Sequence, residues 1–315
     1  MDSLDNSSVC HGEVCTSYSE RQVFAAIFGI ISVVGTVDNA LVIAAVILSR
    51  KLRNATNMFV LNLSIADFLT CIYTIPINVF AVLNEDDWPL PNAPCKLAGF
   101  LLVLCSSCSL NNLVCIAINR YVMITKSKST YKKMFRGRQT LAGIILTWLV
   151  PLAGTLFPAW SGIMETGFNP DSSLCTWAPA GPKHVHAYPF ILFALSVPIQ
   201  VFLIFLSYIS IFCHVHSHTK RVRRNSNHQI QVTKNLALVV FVFMLCYVPS
   251  SVHLLFSIPN HVWFWHLSSA FLLANSCVNP FIYAAKLPNF RVVFCCIIHG
   301  KWKDIPEKIS CRFCM

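Results

Sequence analysis

Charge is what this 315-residue chain has least of: Asp, Glu, Lys and Arg together make 12% of it, against about a quarter in a soluble globular domain. That shortage excludes an ordinary soluble enzyme, a disordered chain and a coiled coil. No stretch repeats, no segment is of low complexity, and no period-2 pattern with turn signals points to a barrel. The start, MDSLDNSSVC, lacks the basic flank and apolar core of a cleavable signal, so the first apolar segment is expected to serve as the insertion signal. H-E-x-x-H and G-x-S-x-G are both missing, which removes two common routes to an intramembrane hydrolase. What remains is a chain 55% hydrophobic with a mean hydropathy of +0.60.

The apolar residues fall into seven blocks, at roughly 23–48, 58–83, 97–124, 140–160, 186–213, 236–258 and 263–285. A helix of about 20 apolar residues crosses a hydrocarbon layer of about 30 Å, and lipid admits only helices or closed barrels. The expected fold is all-α, a seven-transmembrane helix bundle. Residues 1–22 form a tail, 23–285 the membrane domain, and 286–315 a short amphipathic eighth helix with a second tail.

Basic residues set the orientation. The segments on the N-terminal side carry only Arg21, Lys96 and Lys183, whereas the other side holds twenty-one of the 24. Under the positive-inside rule the N-terminus is extracellular and the C-terminus cytoplasmic. The cytoplasmic face is suited to anionic lipid and to docking a protein partner. Four cysteines, Cys10, Cys15, Cys95 and Cys175, fall on the outer, oxidising side, an even number that suggests two disulfides with connectivity open. Cys295 and Cys296 sit beside the membrane as palmitoylation candidates, and Asn6-Ser7-Ser8 is a glycosylation sequon.

Polar residues within the spans are functional candidates by default. Asp67 lies mid-span, with Asn39, Ser109, Asn112, Asn275 and Asn279 at similar depth, so one buried network around Asp67 is expected, with room for water or a sodium ion. Asp38 stands about 100° round its helix from Asn39, and three roles stay open for it: joining that network, carrying a proton, or lining water. Arg120 follows Cys95 by 25 residues, about 37 Å of helix, which puts its guanidinium at the inner mouth. Pro76, Pro151, Pro158, Pro198, Pro249 and Pro280 each remove a backbone bond within a span.

These residues together resemble the rhodopsin-like (class A) G-protein-coupled receptors over nearly the whole chain. Asn39 matches the first-helix asparagine and Asp67, in LSIAD, the second-helix aspartate. Cys95 and Cys175 match the disulfide, Asn119-Arg120-Tyr121 the D/E-R-Y box, and Trp148 the fourth-helix tryptophan. Cys246-Tyr247-Val248-Pro249 stands at C-W-x-P, and Asn279-Pro280-Phe281-Ile282-Tyr283 is an intact N-P-x-x-Y. Within that class the chain is similar to melatonin-receptor-like, Moody-type and medium-chain fatty-acid receptors. The resemblance implies a non-enzymatic plasma-membrane receptor with a heterotrimeric G protein and arrestin as partners, no nucleic acid, and no cofactor beyond sodium at Asp67. It also implies switch roles for Asn119, Arg120, Tyr121, Tyr247, Pro249, Asn279, Pro280 and Tyr283.

The departures shape the expectations. Asn119 replaces an acid, so Arg120 lacks its neighbouring carboxylate, and ligand-free signalling should be noticeable. Tyr247 replaces the usual tryptophan, and Asp38 replaces glycine. Leu102 occupies the aspartate position of amine receptors, which argues against an amine ligand. No lysine occurs in 264–285, so retinal cannot form its Schiff base there. The expected ligand is small, non-amine, lipidic or indole-like, near Leu102, Val103, Ser106, Ser107, His253 and Ser269, with His266 facing the same space. A peptide is the alternative. A transporter is a distant one, since inverted repeats are lacking.

Overall fold

The computed structural model describes residues 9–11, 14–84, 88–169, 172–179, 187–217, 237–238, 240–252 and 262–307. Long apolar helices dominate. The first span is Tyr18–Leu48, the second Ala55–Leu83, the third Asn92–Thr125, the fourth Gly137–Trp160 and the fifth Ala187–Ser217. The sixth is described over Val240–Val252, and the seventh is Val262–Lys286. The helices begin three to five residues before the first four apolar blocks do, and polar caps start the first two of them. Ser17 and Glu20 form a reciprocal capping box ahead of the first span, and Asn54 caps the second through Asn57 N–H at 3.0 Å.

By length and apolarity alone, five described helices qualify as membrane crossings. The seventh qualifies only together with the short helix that follows, Pro288–Ile298, to which it stands at 103°. The reason is chemical: His266, Ser268, Asn275, Ser276 and Asn279 are all buried, so its inward stripe is polar and lowers its average hydropathy.

One helix is not uniformly wound. Residues Thr70–Thr74 of the second span form a π turn, with Ile75 N–H bonded to Thr70 C=O, five residues back. Pro76 follows at once. In that π pattern the Cys71 carbonyl would take its proton from residue 76, and proline has none. Ser32 of the first span fills the place, its hydroxyl donating to Cys71 C=O at 2.7 Å. A buried carbonyl that proline leaves without a partner is thus satisfied from a neighbouring span.

Close to that point the spans nearly touch. A Cβ on Gly35 would collide with Cys71 Sγ and lie 3.2 Å from Cys277 Cβ. Only glycine lets the first span approach the second and seventh there.

The main apolar cluster fills the half of the bundle that holds Arg120. It contains Val42, Leu63, Leu113, Ile116, Phe243, Tyr283, Phe290 and Phe294. A second cluster, at the disulfide end, gathers Phe24, Phe28, Ile75, Val82 and Leu273 around Leu174. Among the described residues, two antiparallel hairpins accompany the helices: β1 (Val9–His11) with β2 (Val14–Thr16), and β3 (Met164–Asn169) with β4 (Leu174–Pro179). In the first, the backbone register sets Cys10 directly opposite Cys15. Beyond the short helix the chain doubles back onto the end of the first span. Ser49 Oγ donates to Pro306 C=O at 2.7 Å, Arg50 N–H to Glu307 C=O at 3.1 Å, and Ile305 enters the main cluster.

Candidate functional site

Asp67 is the hub of a network that joins three spans. Its Oδ1 accepts from Ser109 Oγ of the third span at 3.1 Å, and its Oδ2 from Asn279 Nδ2 of the seventh at 3.0 Å. Asn279 Nδ2 also reaches the Asn275 carbonyl at 3.4 Å, so Asn275 enters the network through its backbone. Asn39 joins the first span to the seventh, donating to Gly35 C=O at 2.8 Å and Ser276 C=O at 2.7 Å. The Oδ1 of Asn39 and the Oγ of Ser64 are buried and accept no hydrogen bond among the described residues. Carboxylate, hydroxyl and amide oxygens are the donor set that a hard cation takes. Asp67, Ser109 and Asn39 therefore fit a sodium ion chemically.

Asn112 does not belong to this network. Its Oδ1 accepts from Asn62 Nδ2 at 2.8 Å, and its Nδ2 donates to Cys108 C=O at 2.9 Å. Asn62 also donates to Thr147 Oγ1 at 2.9 Å and accepts from Trp148 Nε1 at 2.8 Å. This is a separate polar seam between the second, third and fourth spans. Asn62 and Asp67 are five residues apart, hence about 140° apart round their helix, and Asn112 meets the former face.

At the other end of the third span, Arg120 is 6% exposed, with Nη1 at 3.5 Å from Met123 Sδ. Asn119 turns away from it. Its Oδ1 accepts from Thr56 Oγ1 at 2.6 Å, and its Nδ2 donates to Tyr131 Oη at 3.4 Å. Tyr131 lies on the loop helix Lys128–Met134. Tyr121 instead carries the Lys126 ammonium 5.5 Å above its ring. The hydroxyls of Tyr208 and Tyr283 are buried and have no hydrogen-bond partner among the described residues. The Tyr283 ring packs 5.7 Å from Phe290, which packs on Phe294, so the N-P-x-x-Y segment is clamped to the short helix.

In the sixth span, Tyr247 stacks on Phe243 at 4.3 Å and donates to Ser106 C=O at 3.3 Å. The phenol reaches across here to bond the third span's backbone. Two residues beyond Tyr247 stands Pro249, half-buried, and Ser250 Oγ then reaches Ser268 C=O of the seventh span at 3.0 Å. Pro280 lies within the seventh helix.

The β3–β4 hairpin covers the bundle's disulfide end. Cys175 is bonded to Cys95, its N–H donates to Asn78 Oδ1 of the second span at 2.8 Å, and Thr176 C=O would lie 2.9 Å from a Cβ at Gly99. The His266 ring is 1% exposed, with Nε2 at 3.0 Å from Ser172 C=O and its ring 5.2 Å from Phe24. His266 thus holds the hairpin and does not line open space as expected. Leu102 packs on the cluster around Leu174, and Val103, Ser106, Ser107 and Ser269 are half-buried. His253 lies outside the described residues, as do Asn6, Lys183 and most of the segment between the fifth and sixth spans. Of the two palmitoylation candidates, Cys295 is exposed, but Cys296 is buried in the main cluster. Adjacent helical residues point about 100° apart, so of the two thiols only that of Cys295 is accessible.

The family described as 7 transmembrane receptor (rhodopsin family) matches residues 38–283. The chain belongs to it. Among curated relatives, the Melatonin receptor type 1C of Gallus gallus is 31% identical over 280 residues, covering 85% of this chain and 79% of its own. The Melatonin receptor type 1B-B of Danio rerio is 28% identical over 299 residues, 91% of this chain and 84% of that one. Squid rhodopsin superposes with a TM-score of 0.79 at 21% identity, over 95% of this chain and 91% of its own, which shows a shared seven-helix fold. The rhodopsin-family member described here is thus a multi-pass receptor of the plasma membrane and, like its relatives, not an enzyme.

The positions that sequence reasoning passed over, Ser32, Gly35, Asn62, Asn78, Thr147 and Ser276, share one property. Each acts through backbone, or through a partner far away in sequence. Only Pro76 signalled any of them, since a proline there must leave a carbonyl for another group to satisfy.

Proposed function

We propose that this family member transmits the binding of a small, non-amine, indole-like or lipidic extracellular ligand to a heterotrimeric G protein on the cytoplasmic side. The observation that carries the proposal is the pairing of two centres on one rigid rod. The third span presents Ser109 to Asp67 in the middle and the near-buried Arg120 at its end. A ligand-driven change in how the spans meet Asp67 biases the opening around Arg120, Tyr208 and Tyr283, and binding at the two ends is then reciprocally coupled. The melatonin-receptor relatives support an indole-like ligand. Leu102 offers no counter-ion for an amine, and the hairpin, with Leu174 packed in the bundle, favours a small ligand over a peptide. The charge balance supports an extracellular N-terminus.

Nucleotide exchange on purified Gα tests this reading. Inside-out membrane vesicles carrying the chain should accelerate exchange and right-side-out vesicles should not; acceleration in neither preparation, with any Gα family, overturns it. Because Asn119 bonds Thr56 and Tyr131 in place of Arg120, basal exchange should be substantial. Asn119→Asp supplies a carboxylate next to Arg120 and should lower basal exchange by about five-fold, the worth of a modest coupling. An unchanged basal rate would remove the proposed cause.

Sodium held by Asp67, Ser109 and Asn39 favours the resting arrangement in this scheme. Raising sodium at constant ionic strength, with potassium as replacement, should reduce basal exchange in the wild type. Asp67→Asn, which keeps the hydrogen-bonding shape and removes the charge, should flatten that dependence. A sodium response surviving in Asp67→Asn places the ion elsewhere.

A further inference from the structure

The fifth span interrupts its own backbone ladder at Pro198, which has no N–H for the carbonyl four residues before it. The stretch that follows is therefore tied less firmly to the stretch before. Its bundle-facing stripe is Gln200, Ile204, Ser207 and Ile211, at helical spacing, while Phe202, Phe205 and Phe212 face away and are exposed. Most of that stripe gives no direction. Ile204 and Ile211 pack, and Ser207 Oγ turns back to Leu203 C=O of its own helix at 2.8 Å. Gln200 differs, because its Nε2 donates to Asn111 Oδ1 of the third span at 2.6 Å. Among the described residues, no other side chain from Val197 to Cys213 hydrogen-bonds another span.

The third and fifth spans run in the same direction, as odd-numbered helices of a seven-span chain do. Arg120 lies nine residues beyond Asn111, and Tyr208 eight beyond Gln200, about 13.5 Å and 12 Å of helix. With the pair aligned, both groups reach nearly the same depth, and the Tyr208 hydroxyl is within electrostatic reach of the Arg120 guanidinium. Rotation agrees. Tyr208 stands about 80° round from Gln200, so its ring passes the flank of the third span. Arg120, about half a turn round from Asn111, extends into the same interior. A slip of one residue in the fifth span would carry Tyr208 about 1.5 Å along the axis and 100° around it.

We infer that Asn111 and Gln200 are a positioning pair, whose hydrogen bond fixes the register of the fifth span beyond Pro198 and so sets the Tyr208 hydroxyl against Arg120. Side-chain bonds between helices in lipid add little stability. What this one supplies is direction, at the place where proline has loosened the winding. The inference rests on the reading of Arg120 and Tyr208 as parts of one switch.

Fluorine resonance tests it without ligand or G protein, so the result is independent of whether the chain couples to Gα. The full chain is placed in phospholipid nanodiscs with 3-fluorotyrosine in place of Tyr208 as its only fluorine. Arg120→Gln should shift the resonance in an otherwise wild-type chain. In Gln200→Leu and in Asn111→Leu that Arg120-dependent shift should be lost, and the double leucine variant should be no worse than either, as expected of two residues that act together. The reciprocal exchange, Asn111→Gln with Gln200→Asn, keeps one amide on each span and the same combined reach, and should restore the shift. An Arg120-dependent shift that survives in both leucine variants overturns the inference. So does a resonance that ignores Arg120 in the wild type. A shift lost in the leucine variants and not recovered by the exchange overturns it too, since packing and not the bond would then place Tyr208.

Discussion

Arg120→Ala is expected to lower agonist-stimulated exchange on Gα by about 100-fold, the upper range of coupling energies between sites, with ligand affinity in G-protein-free membranes unchanged. Arg120 is nearly buried yet lies at the end of the third span, beside the Tyr208 hydroxyl, which no described residue satisfies. A planar guanidinium with five donors can serve a docked polypeptide's carbonyls in a way that no other side chain reproduces. Arg120→Lys should recover only part of the loss, because an ammonium keeps the charge but lacks the fork. Surface expression measured in parallel separates this effect from misfolding. Full coupling by Arg120→Ala under a true agonist would refute the mechanism.

The other large effect falls at the opposite end. Cys175→Ser opens a loop closed over 80 residues, and the chain-entropy model assigns such a closure about 4.5 kcal/mol. That is a large part of the stability of an ordinary domain. The bond also places Cys175 N–H on Asn78 and Leu174 among the side chains of the first, second and seventh spans. Thermal denaturation in detergent should show a lowered midpoint and a broadened transition. Cys95→Ser should match Cys175→Ser, and the double variant should be no worse than either. Asn78→Ala should cost about 1 kcal/mol, the worth of one hydrogen bond. If Cys175→Ser melted like the wild type, the hairpin would be held by its non-covalent contacts alone.

The helices were legible in the sequence because lipid makes their signal long and apolar, and the Asp67 hub was legible because a charge in such a helix is rare. Depth along a span could be counted from residue numbers, which placed Ser109, Asn279 and Asp67 together. Rotation was harder to read. Asn112 shares Ser109's depth but faces Asn62, and Cys296 shares Cys295's sequence context but faces the core. A few tens of degrees decide such assignments, and they depend on what each neighbouring helix offers. The role of His266 was hidden for a related reason: its partner is a backbone carbonyl, Ser172, 94 residues away, which no side-chain motif announces. The seventh helix shows the reverse case. Its intact N-P-x-x-Y made it readable even though its polar inward stripe dilutes its hydropathy.

The π turn at Thr70–Thr74 gives the second span a phase offset between its two halves. One surplus residue in the winding turns everything beyond it by about 100° relative to a regular helix. Asp67 lies before the offset and Asn78 after it, yet both point into the bundle, one to Ser109 and Asn279 and the other to the hairpin. A chain shortened by one residue in this stretch would keep its hydropathy and its helicity. Its two halves would also keep their alignment, because only the surplus residue is gone; it is the full-length chain wound as a regular helix that would turn Asn78 about 100° away from Cys175 N–H.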